Sequence, residues 1–199
     1  MKRRAAITFA GSMLALGLWS MTAYSADDDE TKARKEAQES VLKLVDSMRG
    51  NKGDVKARTA ALKKKFADLE PIMWAYKSRK KGGLGTGKDG DDIELMIGKV
   101  GNARAKGWTP KKRLDMRADL AKVAELSRAI TEVADLYAKN YKDNNTGKPD
   151  PAKWKEYLKQ MRKGADELSK AAKGQDATAI QKAASNLGAS CTNCHSDFR

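Results

Sequence analysis

The sequence predicts an all-α protein, an antiparallel four-helix bundle with an additional N-terminal helix and a long connector rich in glycine and lysine. The composition favours helices, because alanine, lysine and leucine are abundant and only 4 of the 199 residues are proline. Several segments place apolar residues three and four positions apart, which is the spacing of one helix face. Short reversals separate these segments late in the chain, as is typical of helical bundles.

The first 25 residues have the pattern of a secretory signal peptide. Lys2–Arg4 precedes an apolar run of roughly fifteen residues, and the small residues near Ala23–Ser25 suit cleavage before Ala26. A membrane anchor is the alternative, but this run is shorter than the ~20 residues that cross a bilayer. We therefore expect an exported, periplasmic protein whose mature domain is residues 26–199.

Two helices are predicted at the start of the mature chain. The first covers Asp27–Arg49 and ends at the glycine-containing break of residues 50–53. The second begins at the N-cap Asp54 and continues to about Tyr76, and Pro71 is expected to bend it or to end its regular part.

Residues 77–101 are the least regular part of the sequence and form the predicted connector. Lys77–Lys81 is strongly basic, and Gly82–Lys88 is rich in glycine. The second stretch is similar to a phosphate-binding P-loop, but Asp89 stands where Ser or Thr is needed and no strand precedes it. Two interpretations stay open, a flexible link and a loop that wraps the edge of a bound cofactor.

Three further helices complete the predicted bundle. The first of them begins at Pro110, with Thr109 as its N-cap, and ends near Tyr141. The next covers residues 151–173, and a tight reversal at residues 174–176 leads into the last helix, which continues to the C-terminus.

The last helix carries Cys-Thr-Asn-Cys-His at residues 191–195, which is the attachment pattern of a c-type haem. In this pattern the two thiols add across the haem vinyl groups, and the imidazole becomes an axial ligand of the iron. Positions three and four apart share a helix face, so Cys191, Cys194 and His195 can meet one flat macrocycle. They are also the only two cysteines and the only histidine in the chain. We therefore expect one covalently attached haem c.

Other uses of the same residues have less support. A thioredoxin-like redox pair needs a βαβ context, and no segment has the pattern of a strand. A zinc site needs four ligands, whereas the sequence groups three here and has no second cluster. A disulfide between Cys191 and Cys194 would close a loop too short to stabilise the fold much.

Followed by Phe198 and Arg199, the motif resembles the C-terminal signature of class II c-type cytochromes, the cytochrome c′ family. Family members carry Cys-x-x-Cys-His-x-x-(Phe/Tyr)-Arg on the last helix of a four-helix bundle. The resemblance is best over residues 151–199 and weaker upstream, where the chain has an extra helix and a longer connector. It implies an exported haem protein that carries electrons or binds small gases, with Arg199 as a further cofactor-binding residue and a homodimer as in many relatives.

The second axial position of the iron decides between these functions. Methionine is the remaining common ligand, because the chain has no second histidine. Met73 is the first candidate, since aromatic residues and the basic connector follow it, whereas Met48 would lie nearer the motif in a simple up-and-down bundle. An empty position would instead bind nitric oxide or carbon monoxide. The connector offers candidate partners for the haem propionates: Lys77, Arg79, Lys80 and Lys81.

The charge of the chain indicates its partners. There are 40 basic and 26 acidic residues, a net charge of +14, and removal of the leader would leave 37 basic residues and a charge of +11. Such a surface suits redox partners with acidic surfaces and peripheral contact with anionic membranes. Nucleic acid is the usual partner of basic helical proteins, but export argues against it.

These features predict an electron carrier that is not an enzyme. A peroxidase-like activity is disfavoured, because no second histidine is present to act as a distal acid–base catalyst. The alternative is a five-coordinate protein that binds or buffers nitric oxide.

Overall fold

The structure, a computed structural model, describes residues 26–50 and 55–198, with the side chains of residues 29–49 and 55–198. Within these residues there are eight α-helices: α1 (Ala26–Gly50), α2 (Val55–Lys65), α3 (Glu70–Met73), α4 (Ile93–Gly101), α5 (Pro110–Asp115), α6 (Arg117–Ala134), α7 (Pro151–Gly174) and α8 (Ala177–Phe198). The same residues contain no named strand, only two isolated bridges. The predicted all-α class is therefore confirmed. The predicted signal peptide, the N-cap Asp54 and Arg199 lie outside the described residues.

The centre of the fold is the antiparallel arrangement of α6, α7 and α8. Helices α6 and α7 run in opposite directions, since Arg128 pairs with Asp166 and Arg162 with Glu132, each at 3.1 Å. Helices α7 and α8 form a hairpin whose reversal places Gln175 in the left-handed region, with a φ of 56°. Buried leucines, alanines and aromatic residues fill the space between the three helices. The predicted bounds of the last two helices agree with α7 and α8.

Helix α4 corrects the prediction that residues 93–101 belong to an irregular connector. Asp92 caps this helix by accepting from Leu95 N at 3.1 Å, and four apolar side chains at helical spacing are buried: Ile93, Met96, Ile97 and Val100. The helix is short and contains two glycines, which weakens its sequence signal. One of them, Gly101, allows α4 to lie against α8, because a Cβ there would stand 2.6 Å from Ser185 N.

The single helix predicted to continue from Asp54 to Tyr76 is also wrong. Helix α2 ends at Lys65, the chain turns at residues 66–69, and Pro71 stands in the first turn of the separate helix α3. Proline lacks the N–H that helix continuation requires, so it begins a helix here instead of bending one. Tyr137 Oη donates to Phe66 O at 2.6 Å and ties this turn to the end of α6.

The helix predicted from Pro110 to Tyr141 is divided in two. Thr109 caps its start as predicted, accepting from Lys112 N at 3.2 Å. Helix α5 ends before Met116, and α6 ends at Ala134 in a 3₁₀ turn.

Helix α1 confirms the predicted additional N-terminal helix. It packs against α6 on one side and against α2 and α3 on the other. Across the described part of the chain, the helices fall short of the length and hydropathy that a membrane span requires.

Candidate cofactor site

A cavity of about 650 Å³ lies where the C-terminal end of α8 meets the end of α6, the start of α7 and the segment that follows α3. This volume is in the range of small-molecule and cofactor sites. Its wall contains Cys191, Cys194, His195 and Met73, so the structure brings four of the five predicted site residues together. Arg199, the fifth, lies outside the described residues.

Both thiols lie on the face of α8 that is turned toward the cavity. Cys191 is buried, Cys194 is half-buried, and neither forms a disulfide. Burial raises the pKa of Cys191 to about 12 and the pKa of Cys194 to about 11. At neutral pH both groups are therefore protonated thiols, unlike the acidic thiolate of a thioredoxin-like pair. In the part of the chain that the structure describes, no group of three or more His, Cys, Asp or Glu side chains is placed to hold a metal ion.

The imidazole of His195 lies beside a residue that sequence reasoning missed. His195 Nδ1 lies 3.1 Å from Glu94 Oε1, and Glu94 Oε2 lies 3.8 Å from Lys77 Nζ. A neutral imidazole that donates from Nδ1 keeps the lone pair on Nε2 for a metal. Glu94 was overlooked because it fell within the predicted connector. The signal that could have found it is the N-cap Asp92 before apolar residues at helical spacing.

An aromatic wall closes one side of the cavity. Tyr141 stacks on Trp154 with ring centroids 5.0 Å apart and an interplanar angle of 14°, and Phe198 meets Trp154 edge-on at 5.2 Å. Trp154 Nε1 donates to Ala134 O at 3.0 Å, which fixes the indole between α6 and α7. Trp154 and Phe198 are both buried.

The three methionines relevant to the second axial position lie in different places. Met73 lines the cavity from the end of α3 and is half-buried. Met48 packs against the core but is not part of the cavity wall. The chain therefore does not follow the simple up-and-down path that would have placed Met48 near the motif. The turn at residues 66–69 is the physical reason, because it redirects the chain toward the cavity. Met161, on α7, lines the same cavity.

The connector folds against itself and holds Trp74 at the cavity wall. Trp74 Nε1 donates to Lys81 O at 2.7 Å, and the Arg34 guanidinium lies 3.3 Å from the centre of its ring system. Gly90, with a φ of 68°, allows the loop to close, because a Cβ there would stand 2.2 Å from Arg79 Nε. In the structure the connector therefore forms a folded loop beside the cavity, as the interpretation of a loop at the cofactor edge expects.

The basic residues of the connector are not equivalent. Lys77 lines the cavity, whereas Arg79 donates to the carbonyls of Gly87 and Lys88 at 2.7 and 2.6 Å and serves the loop itself. Lys80 and Lys81 are exposed and lie outside the cavity wall. Lys142, which the sequence did not single out, is a second basic residue in the wall.

The residues present fit a haem. The apolar wall suits a flat macrocycle, the two thiols and the imidazole share one helix face, and two lysines provide cations for carboxylate groups. Tyr76 Oη is buried in the wall and has no hydrogen-bond partner among the described residues, and its neighbour Ser127 donates to Val123 O at 2.8 Å. Burial also raises the pKa of Tyr76 well above its ordinary value, so the hydroxyl is a donor that a polar group in the cavity would satisfy.

A helical bundle whose last helix presents two thiols and an imidazole to one apolar cavity has the design of a haem-binding bundle protein. The sequence model of the family described as Cytochrome C' matches residues 92–199, more than half of the chain, and the protein therefore belongs to the cytochrome c′ family. It is accordingly a haem-binding c-type cytochrome. The match begins at the start of α4, well upstream of the segment that carried the resemblance. No curated protein and no solved structure matches the sequence significantly.

Proposed function

We propose that the protein is an exported electron carrier that holds one haem covalently through Cys191 and Cys194, with His195 as an axial ligand. The observation that carries this proposal is the single cavity whose wall contains both thiols, the imidazole and the thioether of Met73. When bound, the haem iron supplies one-electron chemistry between its ferric and ferrous states. The leader-like pattern of residues 1–25 supports a periplasmic location.

Met73 is the proposed second axial ligand. It is half-buried, it lies in the cavity wall, and Trp74 beside it is fixed by Arg34 and the connector. Lys77 and Lys142 are the proposed partners of the propionates, together with Arg199 of the family signature. This arrangement favours a six-coordinate iron, which suits electron transfer without turnover of a substrate.

The proposed partners follow from charge. The net charge is +14 for the whole chain and +11 without the predicted leader, and either value favours association with acidic redox proteins and peripheral contact with anionic membrane surfaces. Nucleic acid is not a proposed partner, and a homodimer of the kind found in the family is compatible with the proposal.

A second function has one specific observation in its favour. Tyr76 Oη is a buried donor in the cavity wall without a partner in the described residues. If Met73 does not bind the iron, this hydroxyl can donate to a diatomic ligand, and the protein would bind or buffer nitric oxide.

Covalent attachment is tested on protein matured in a host that ligates haem. We expect a haem-stained band on a denaturing gel, a weaker band for Cys191→Ser or Cys194→Ser, and no band for the double variant. Ser190→Ala is the matched control, because this buried neighbour on α8 carries no thiol and donates to Leu187 O of its own helix. A wild-type protein that loses its colour on denaturation would overturn covalent attachment.

The two functions are separated by the spectrum of the reduced protein with and without carbon monoxide. We expect a methionine–iron charge-transfer band in the oxidised protein and slow carbon monoxide binding in the reduced protein. Met73→Leu should remove the band and speed binding at least tenfold, whereas Met48→Leu, outside the wall, should change neither. Rapid binding by the wild type would support the gas-binding function, and loss of the band in Met161→Leu alone would transfer the ligand role to Met161.

A further inference from the structure

The structure assigns Glu94 as a positioning residue: we propose that its carboxylate accepts a hydrogen bond from His195 Nδ1, orients the imidazole for the iron and lowers the midpoint potential. This inference rests on the proposed role of His195 as an axial ligand. The haem attachment motif does not include Glu94, which lies about a hundred residues upstream on a different helix.

The first support is the geometry of the pair. His195 Nδ1 and Glu94 Oε1 are 3.1 Å apart, within the range of a hydrogen bond, and both side chains are about one-third exposed, at 33% and 32%. Partial burial makes such a bond stronger than the same contact on an open surface. A ligating histidine is commonly oriented by an acceptor at its second nitrogen, and this contact also raises its basicity as a ligand.

The second support is the way α4 holds the carboxylate. Asp92 caps the helix two residues before Glu94, and Ile93 and Ile97 anchor it in the core. Gly101 brings the other end of α4 into backbone contact with α8. Because α8 carries His195, the packing that places α4 also sets the distance between the two side chains.

The third support is that the Glu94 carboxylate lies closer to His195 than to Lys77. Lys77 Nζ lies 3.8 Å from Glu94 Oε2, which is longer than a hydrogen bond, whereas the contact with His195 is not. Lys77 therefore neutralises part of the negative charge of Glu94 but does not take the place of His195 in the hydrogen bond. The remaining negative charge stabilises the ferric state more than the ferrous state, because the ferric centre is more positive.

The test uses the holoprotein and the midpoint potential of the wild type, Glu94→Gln, Glu94→Asp and Glu70→Gln. Glu70 is a suitable control because it is another carboxylate of the cavity wall, 67% exposed, and it makes no contact with His195. We expect Glu94→Gln to stabilise the ferric state about tenfold less, relative to the ferrous state, than the wild type does. For a one-electron couple this corresponds to a rise of ~59 mV in the midpoint potential. Glu94→Asp should raise the potential by less than Glu94→Gln does, since it keeps a carboxylate. Glu70→Gln should change the potential by less than a third as much as Glu94→Gln does.

A second readout reports the hydrogen bond directly. The chain has 1 histidine, so labelling with ¹⁵N-histidine gives one imidazole signal, observed by NMR in the diamagnetic carbon monoxide complex of the reduced protein. We expect a Nδ1 proton that exchanges slowly with solvent in the wild type and in Glu70→Gln, and at least tenfold faster in Glu94→Gln.

The possible outcomes distinguish this inference from the proposed function. A coloured holoprotein in which Glu94→Gln and Glu70→Gln shift the potential equally would overturn the role of Glu94 and leave the haem assignment intact. Rapid exchange of the Nδ1 proton in the wild type would overturn it even if Glu94→Gln failed to fold. A colourless protein would instead contradict the proposed function.

Discussion

The cavity is built by two regions of the chain that differ in what they contribute. Residues 92–199 match the cytochrome c′ family and provide both thiols, His195 and Glu94. Residues 26–91 lie outside that match and provide Met73, with the aromatic residues that follow it. The family region therefore provides the residues of the proposed attachment, whereas the N-terminal region provides Met73, the proposed second axial ligand. Family membership alone does not decide that choice.

The two regions also differ in how they are held. Within the family region, long helices pack along their lengths around a buried core. The N-terminal region is joined to it by the packing of α1 on α6 and by polar contacts, namely Tyr137 with Phe66 O, Tyr141 with Asp68, and Arg49 with Glu125. We expect the N-terminal region to be the less stable of the two, because it depends on fewer buried apolar contacts.

The largest expected effect compares two tryptophans, one from each region. Trp154→Ala should lower the free energy of unfolding by ~3–5 kcal/mol, because it empties a core position between α6, α7 and α8. Trp74→Ala should cost only ~1–2 kcal/mol, since this half-buried ring loses a hydrogen bond to Lys81 O and a cation–π contact with Arg34. Urea unfolding followed by circular dichroism measures both values.

Trp108→Ala serves as a control for this pair, because Trp108 is half-buried outside the cavity wall and carries Lys112 over its ring at 4.6 Å. Equal losses for Trp74→Ala and Trp154→Ala would contradict the expectation that the N-terminal region depends on fewer buried apolar contacts.

The same two regions explain what the sequence could predict. The end of the chain was predictable because its signals are local: Pro151 starts a long amphipathic helix, the reversal near Gln175 is short, and the cysteines and the histidine share one helix face. The attachment residues and the aromatic wall at Trp154 and Phe198 follow from that periodicity. In this region local propensity and tertiary packing agree, so the periodic pattern was sufficient.

The predictions failed where tertiary contacts decide the structure. Helix α4 is short and contains glycine, so its stability comes from packing on α8 rather than from propensity. Consequently the contact between Glu94 and His195 was not predicted, although the N-cap Asp92 marks the start of the helix that carries Glu94. The turn at residues 66–69 was missed because apolar spacing continues through it, whereas Tyr137 and Pro71 impose the break. Sequence context suggested Met73, but only the turn explains how it reaches the cavity.

A smaller effect is expected from the two glycines of α4, which test the packing that positions Glu94. Gly101→Ala should lower the free energy of unfolding by ~1–3 kcal/mol, because the added Cβ would stand 2.6 Å from Ser185 N in the backbone of α8. Gly98→Ala is the matched control on the same helix, since a Cβ there meets nothing within 4 Å. It should instead stabilise the protein by up to ~1 kcal/mol, because alanine is the better helix former.

Thermal unfolding measures both variants, and each kcal/mol is expected to change the Tm by ~2–4 °C in a chain of this size. Gly101→Ala should also speed exchange of the His195 Nδ1 proton if α4 moves away from α8. A variant as stable as the wild type would mean that α4 does not depend on this close approach.

The smallest expected effect concerns the link between Tyr141 and Asp68, which joins the two regions at the cavity. Tyr141 Oη donates to Asp68 Oδ1 at 2.6 Å, and this bond, aided by the backbone N–H of Glu70, lowers the pKa of the Asp68 carboxyl. Tyr141→Phe should cost about 1 kcal/mol or less at pH 7, because Asp68 is exposed to solvent. Unfolding experiments between pH 2 and pH 7 give the dependence on protonation.

The direction of the pH dependence follows from the lowered pKa. An unfolded aspartate titrates near pH ~3.9, so the contribution of the bond is complete above that value and is lost as the pH falls through the lower pKa of the folded state. The difference between the wild type and Tyr141→Phe should therefore be constant near neutrality and shrink below pH ~4. In an Asp68→Asn background, Tyr141→Phe should show no such change with pH. If the difference persisted unchanged at low pH, the Tyr141 hydroxyl would join the two regions by accepting from Leu69 N, at 3.3 Å, and not by its bond to Asp68.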